Sequence, residues 1–476
     1  MPSRRQFLLA TSSATAAMAQ PASDKSAADP VKKAKPAAEV LDPVPVIAPV
    51  PGPAYLHAGP MLGHVTGTTA RLWAKGSNAG ELAFKISKQA DLSDARVVQA
   101  AALVETSSFT GQVEISGLEP ATRYHYAPLI DGAVALSRPY PSFVTTPAAD
   151  TQSRLRFAFG SCVGRRGMHA AAAFGEMAAR RNFDLLLMLG DNHYGDSTDP
   201  AVLRDYYFML RSVDGFAKLT RETPTYAIWD DHDYGPNNSD GGTAGKEDSL
   251  RVFKEWWANP AYGEEGNPGC YHRFSRNSVD FFMLDSRYHR TPNKTPEDGA
   301  KTMLGARRLQ WLKQGLSESK AAFKIIACGS EWQTLTQADC WSSFARERQD
   351  IFDHITSNKI GGVILLSGDR HFTAGYQIQG RHLEFTSGPL GSGNGTLQEN
   401  PERFTGADEG KLWMILDLDP AAPTPSCHYE IWQAGGGLLE RRALSLDEIN
   451  GAKKITRSPT PLLPERMESK VRPGKA

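Results

Sequence analysis

The sequence predicts an α/β fold preceded by a small β-sandwich, on three observations. From about Tyr55 to Thr146, short segments of alternating apolar and polar residues, such as Ala70-Arg71-Leu72-Trp73-Ala74 and Gln112-Val113-Glu114-Ile115, are punctuated by Gly and Pro. After Pro147 the period changes. Short apolar runs (Leu155 to Phe159, Leu185 to Leu189, Val279 to Leu284, Ile325 to Cys328, Val363 to Leu366) alternate with longer stretches whose apolar residues recur every three or four positions (Met168 to Arg181, Ala201 to Arg211, Lys246 to Ala258, Ala345 to Asn358). Third, most of these runs lead directly into a cluster of Gly, Asp or Ser, and in α/β sheets ligands bind beyond the carboxyl ends of the strands.

Taken from the amino terminus, residues 1–19 read as an export signal. Arg4-Arg5-Gln6-Phe7-Leu8 precedes a weakly apolar Ala/Ser/Thr stretch, and Ala17-Met18-Ala19 offers small residues for cleavage near Gln20. The arginine pair points to the twin-arginine export machinery as a partner and to a periplasmic or secreted location in a bacterium. Residues 20–53, rich in Ala, Pro and Lys, read as an extended linker. Residues 54–147 form the sandwich, in which Leu118 to Tyr126 resembles the fibronectin type III signature, with a tyrosine fixing the corner between sheets. Trp73, Tyr124 and Tyr126 read as core packing. The α/β domain occupies 148–440, closed by β-rich runs Leu412 to Leu418 and His428 to Trp432. Residues 441–476 read as a surface-draped or mobile tail.

Composition excludes some classes of partner. Lys plus Arg and Asp plus Glu are both 53 in 476 residues, which leaves no global pull toward nucleic acid or anionic lipid. No later segment is apolar for long enough to span a bilayer. The five cysteines are an odd number, scattered along the chain; Cys270 and Cys340 could bridge after export, or all could be buried thiols.

Four strand-to-loop junctions carry potential metal ligands in chain order: Gly160-Ser161-Cys162, Gly190-Asp191-Asn192-His193-Tyr194, Trp229-Asp230-Asp231-His232-Asp233, and Ser367-Gly368-Asp369-Arg370-His371. Hard carboxylates with an imidazole suit a hydrolytic metal pair, and Asp191, first after its strand, is placed to bridge two ions. An extended Asp369-Arg370-His371 would turn its first and third side chains to one face. Thiolate from Cys162 and phenolate from Tyr194 favour a strongly Lewis-acidic ion such as iron(III) over magnesium. Arg287 and Arg165 offer bidentate donors for phosphoryl oxygens, with an Arg287–Asp285 ion pair as the alternative. His193 and Asp196 read as polar loop residues. Gly391 to Gly395 lacks the Lys-Ser/Thr ending of a P-loop and reads as a rim loop.

These junctions, together with Leu284-Asp285-Ser286-Arg287 and Arg290, Leu304-Gly305, and Trp311-Leu312, resemble the PhoD-type alkaline phosphatases of the metallophosphatase superfamily. The resemblance runs from the sandwich onward in the family's order. It implies a four-layer α/β/β/α metallophosphatase domain with an iron(III) centre and neighbouring calcium, or another divalent ion at the second site. Cys162, Asp191, Tyr194, Asp369 and His371 would hold the iron, and Asp191 and Asp231 the second metal. Asn237 or Asn238 would add an oxygen donor there, loop capping being the alternative. His232 would stabilise the transition state or donate a proton, unless it is a structural histidine paired with Asp233.

The function implied is an exported phosphoric ester hydrolase working by in-line attack of a metal-bound hydroxide. Its substrates would be small phosphate esters, with no stable nucleic-acid complex. A phosphodiesterase or phospholipase D-like hydrolase on the same scaffold, acting on phosphodiesters or phospholipids, is the alternative. A surface binding module with a decayed catalytic domain is disfavoured, because every principal metal donor is present.

Overall fold

The computed structural model describes residues 49–148, 151–165, 167–334 and 338–458, all within one unit that runs from Val44 to Ala476. The export signal and most of the linker lie outside the described residues. Among those described, no helix is long and apolar enough to cross a membrane.

Two antiparallel sheets form the amino-terminal sandwich. One orders Leu56–Val65, Ala70–Gly76 and Thr110–Ile115; the other orders Arg96–Gln99, Leu82–Ser87, Arg123–Ile130 and Ala133–Val134, with Ser142–Val144 also paired to Arg123–Ile130. Alternation turns Leu62, Leu72, Phe84, Ile86 and Tyr126 into one core. The Glu119 N–H donates to Tyr124 Oη at 3.0 Å, tying down the turn that leads into Tyr124's own strand.

Trp73 leaves this core for the next one. Its ring lies 5.5 Å from that of Trp256, its Nε1 donates to Glu255 O at 2.8 Å, and Ala58 and Met61 join it there. Beside it Arg211, only 2 % exposed, stacks its guanidinium 4.1 Å from the Trp257 ring. The Tyr226 hydroxyl likewise accepts the Val65 N–H across the seam at 3.4 Å. The three-stranded sheet therefore buries apolar residues on both faces.

The α/β part holds two sheets. The first orders Thr225–Ile228, Leu185–Leu189, Leu155–Gly160, Leu412–Asp419, Ser426–Gln433 and Gly437–Leu444; its first three strands are mutually parallel. The second orders His272–Arg276, Val279–Met283, Phe323–Ala327, Val363–Ser367, His382–Thr386, Thr373–Ile378 and Arg403–Ala407. Alternation sorts its two faces. Phe281, Ile325, Ile364 and Leu366 face the other sheet, with Phe281 and Phe157 5.3 Å apart. Phe282, Ile326 and Leu365 pack against Leu312, Leu316, Ile351 and Phe352 of helices Ala306–Glu318 and Ala345–Ser357.

Every residue of Leu185–Leu189 is buried, so the first sheet also needs cover on both faces. Phe174, Leu203 and Phe216 of helices Ala171–Arg180, Pro200–Ser212 and Asp214–Thr220 supply it. The order of layers is helix, sheet, sheet, helix.

One expectation is corrected here and one open alternative is decided. The chain beyond Arg441 is not a draped tail up to residue 458: Arg441 lies within strand Gly437–Leu444, helix Leu446–Ile449 follows, and the buried Ile455 donates its N–H to Gln377 Oε1 at 3.0 Å. Leu444, Ile449 and Ile455, spaced among charges, each bury an apolar side chain in the main core. The five cysteines are buried free thiols, so Cys270 and Cys340 form no bridge. Cys270 sits in the core between the sheets, whereas Cys340 precedes Trp341 on the helix-covered side.

Candidate metal centre

The strand ends approach one another more closely than side chains would allow. A Cβ on Gly190 (φ +96) would stand 2.6 Å from that of Asp230, one on Gly368 2.7 Å from that of Ser161, and one on Gly329 2.5 Å from Asp230 Cγ. Glycine at these three positions lets the four junctions meet. The donor-bearing residues then turn sharply: Cys162 (φ 59), Asp191 (φ 51), Asp369 (φ 67) and His371 (φ 56) are all left-handed. Contrary to the expectation of an extended segment, Asp369 and His371 do not share one strand face; each sits in its own tight left-handed turn. Such conformations cost of the order of 1–3 kcal/mol each and persist where surrounding structure dictates them.

Inside this convergence Tyr194 Oη donates to Asp191 Oδ2 at 3.0 Å and lies 2.9 Å from His371 Nε2. Cys162 Sγ is 3.6 Å from the same Asp191 oxygen. Three groups, Cys162–Asp191–His371, Asp191–Asp231–His232 and Asp230–Asp231–Asp369, each place one donor atom per residue within 4.8 Å of the others.

Asp191 Oδ1, Asp230 Oδ2 and Asp231 Oδ1 are buried with no hydrogen-bond partner. Burial and the surrounding carboxylates push Asp191 well above the usual carboxylate range. Burial raises Asp230 to about 7 against the pull of Arg287. Burial, then the charge of Asp191, also raises the Cys162 thiol and the Tyr194 phenol. Carboxylates desolvated in this way, without donors, are costly unless a cation coordinates them. The mixed donor set of carboxylates, phenol, imidazole and thiol fits a strongly Lewis-acidic transition-metal ion, and the carboxylates alone a second, harder cation.

His232 stacks on Tyr194, with ring centroids 4.0 Å apart. Its Nδ1 meets Asp196 Oδ1 at 2.5 Å, which leaves Nε2 as the ring nitrogen free for a ligand. Burial lowers its pKa, but the bond to Asp196 and the carboxylates of Asp191 and Asp231 carry it up to about 10. Its partner is thus Asp196 and not Asp233. Asp233 accepts the backbone N–H groups of Asp230 (2.7 Å) and Asn192 (3.1 Å), locking two of the junction loops together.

Arg287 is placed differently from the phosphate clamp expected of it. It is fully buried: Nε donates to Asp230 Oδ1 at 2.6 Å, Nη1 to Ser239 O at 3.2 Å and Nη2 to Asp339 Oδ2 at 2.8 Å. A guanidinium enclosed this way cannot present a free fork to a ligand. Asp285, considered as its ion-pair partner, instead accepts the Arg287 backbone N–H and lies 3.3 Å from Arg308 Nη1. Arg165 lies exposed in the turn after Cys162, and Asn237 is exposed in the loop after Tyr234. The Asn238 N–H donates to Asp231 Oδ2 at 2.7 Å, committing that oxygen to the loop.

Several residues around the site escaped sequence reasoning. Asp339 bridges Arg287 and Arg290, and the guanidinium of Arg370 contacts Glu331 and Asp369. Ser392 Oγ donates to Cys162 O at 3.0 Å and lies 3.5 Å from Tyr194 Oη. Adjacent Asp230 and Asp231 were the one visible signal, since a second acid in that pair required a buried counter-charge.

Residues 157–414, more than half of the chain, match the family described as PhoD-like phosphatase, and residues 53–148 match a domain family of unknown function. The chain is 27% identical over 312 residues to alkaline phosphatase D of Bacillus subtilis (strain 168), covering 54% of this chain and 52% of that protein. It thus spans about half the length of that curated relative. Among solved structures, one of PhoD superimposes with a TM-score of 0.67 at 18% identity, covering 84% of this chain and 94% of that one. A purple acid phosphatase from yellow lupin (Lupinus luteus) seeds gives 0.62 at 13% identity, covering 86% and 77%. At such identities the likeness is one of fold.

Proposed function

Since this chain belongs to the PhoD-like phosphatase family, we propose that it is an exported, metal-dependent hydrolase that releases phosphate from organic phosphate esters. The observation that supports this reading best is the group of buried carboxylate oxygens without hydrogen-bond partners, Asp191 Oδ1, Asp230 Oδ2 and Asp231 Oδ1, gathered beside a thiol, a phenol and an imidazole. We assign Cys162, Asp191, Tyr194, Asp369 and His371 to an iron(III) ion, and Asp191, Asp231 and Asn237 to a calcium or other divalent ion. When bound, such a pair supplies Lewis acidity, lowering the pKa of water and neutralising charge on phosphoryl oxygens.

The protein's own residues have separate tasks. Asp196 holds His232 Nδ1, and the Tyr194 ring supports the imidazole plane, which directs Nε2 as the proton donor to the leaving oxygen. Cations at Asp191 and Asp231 would offset the negative field on His232 and bring its proton into a transferable range. Arg287 stays behind the site as the counter-ion of Asp230 and Asp339. Arg165, exposed three residues after Cys162, is the arginine we assign to the phosphate group.

The test is metal analysis of protein recovered from its native export route, combined with assays on mono- and diesters and on Asp191→Asn. The expected result is bound iron with a second metal, phosphate release, and loss of both in the variant. Full turnover by metal-free protein would overturn the reading.

A further inference from the structure

A cavity of about 250 Å³ opens at the opposite end of the second sheet from the metal donors, between the end of helix Ala345–Ser357 and the starts of strands Val363–Ser367 and His382–Thr386. Val363 begins the strand that leads to Asp369, so at ~3.3 Å per residue the cavity stands roughly 20 Å from the metal donors. Its floor is apolar, built from Ile355, Val363, Leu365, Leu383 and Ile449. Its mouth is cationic. Lys359 and Arg381 line it, both exposed, and neither side chain forms a hydrogen bond or ion pair among the described residues.

No acidic side chain lines the cavity. Two other polar groups at the mouth, Asn450 and His382, can donate. Asn450 commits its Oδ1 to the Gly362 N–H at 2.8 Å, leaving the Nδ2 donors. His382, held flat against Phe352 at 4.0 Å between centroids, walls one side and is kept neutral by burial, with its pKa near 4. A neutral imidazole still offers one N–H.

We propose that this cavity is a second binding site, for a small monocarboxylate with an apolar body. Size, floor and mouth each narrow the class. The volume falls just below the ~300–1,000 Å³ of drug-sized sites, which limits the body to a short chain or a single ring. The floor repels a bare phosphate, which would leave those side chains against its hydration shell. Two unpaired cations beside amide and imidazole donors match one carboxylate head. The site is independent of the catalytic reading.

Calorimetric titration of the full chain with hexanoate tests it, with hexanol and hexylamine as uncharged and cationic controls. One saturable site for hexanoate is expected, with both controls at least tenfold weaker. The double variant Lys359→Gln/Arg381→Gln should lose at least tenfold in hexanoate affinity while hydrolysing phosphate esters at the wild-type rate. Because a carboxylate could also ligate metal, the titration is repeated in Asp191→Asn, where unchanged affinity is expected. Equal binding of hexanol, loss of binding in Asp191→Asn, unchanged binding in the double variant, or no saturable binding would each overturn the assignment.

Discussion

Replacing Arg287 by Met distinguishes a buried counter-ion from a phosphate clamp. The wild-type guanidinium is fully buried and lies 2.6 Å from Asp230 and 2.8 Å from Asp339. Methionine fills similar volume, so the cavity contribution is small, and the cost comes from the acids left behind. Asp339 keeps Arg290 at 2.5 Å, so the groups left uncompensated are Asp230 and, 3.8 Å from the lost guanidinium, Asp231. Breaking a buried pair in this way costs about 3–5 kcal/mol, and the surviving Arg290 puts the expectation at the lower end, about 3 kcal/mol. The loss should widen as pH rises above the Asp230 value of about 7. There the wild-type carboxylate ionises against its arginine, while the variant must keep a proton or hold a bare charge. Equilibrium urea unfolding of the metal-free protein at pH 6 and pH 8.5 measures both effects. A variant as stable as wild type at both pH values, with a raised KM for phosphate esters, would show that the guanidinium meets substrate and that the buried network carries no weight.

Four further outcomes are expected. Asp191→Asn should lose metal and turnover together, whereas His232→Ala and Asp196→Asn should keep metal and lose roughly a hundred- to ten-thousand-fold on alkyl phosphates, but far less on nitrophenyl esters, whose leaving oxygen needs little protonation; steady-state rates on the two ester classes check this. The iron-loaded protein should absorb visible light through Tyr194 and Cys162, and Tyr194→Phe should shift or abolish the band. Burial raises Glu384 to about 7, against the bonds from Ser367, Trp332 and Gln333; a raised acid withdraws stability as pH climbs from its unfolded value to its folded one, so Glu384→Gln should be less sensitive than wild type between about pH 4.5 and 7 in thermal melts. Trp73→Ala should destabilise by about 3–5 kcal/mol through loss of packing against Trp256, measured by urea unfolding.

What was legible in the sequence was whatever depends on local order. The apolar runs Leu185 to Leu189 and Val363 to Leu366 emerge as buried strands because burial on both faces needs continuous apolar character. The four junctions show which donors follow which strand, because a cluster of glycine and polar residues directly after an apolar run marks a strand end. Long-range pairing was not legible. Nothing near His232 in the chain singles out Asp196, 36 residues earlier, over its neighbour Asp233. Arg287 reads as a phosphate clamp or as a partner of nearby Asp285 until the fold brings up Asp339, 52 residues away. The carboxyl-terminal region misled for a related reason: charges and prolines dominate its composition, while three spaced apolar residues, Leu444, Ile449 and Ile455, are enough to anchor it.

The seat of Trp73 bears on how such a chain is inherited. Two sequence families abut near residue 148, as though the halves were interchangeable modules. The packing ignores that border. Ala58, Met61 and Trp73 complete a core otherwise built by the other half, and the Tyr226 hydroxyl receives the Val65 N–H across it. A chain trimmed to begin at residue 148 would expose Trp256 and strip the Arg211 guanidinium of one aromatic wall. Transfer of either half alone to another protein would carry half of an interface, so the two must travel together. Across descendants of this chain, changes at Trp73 should be answered by changes at Trp256 and Arg211, coupling two regions that sequence comparison treats as separate.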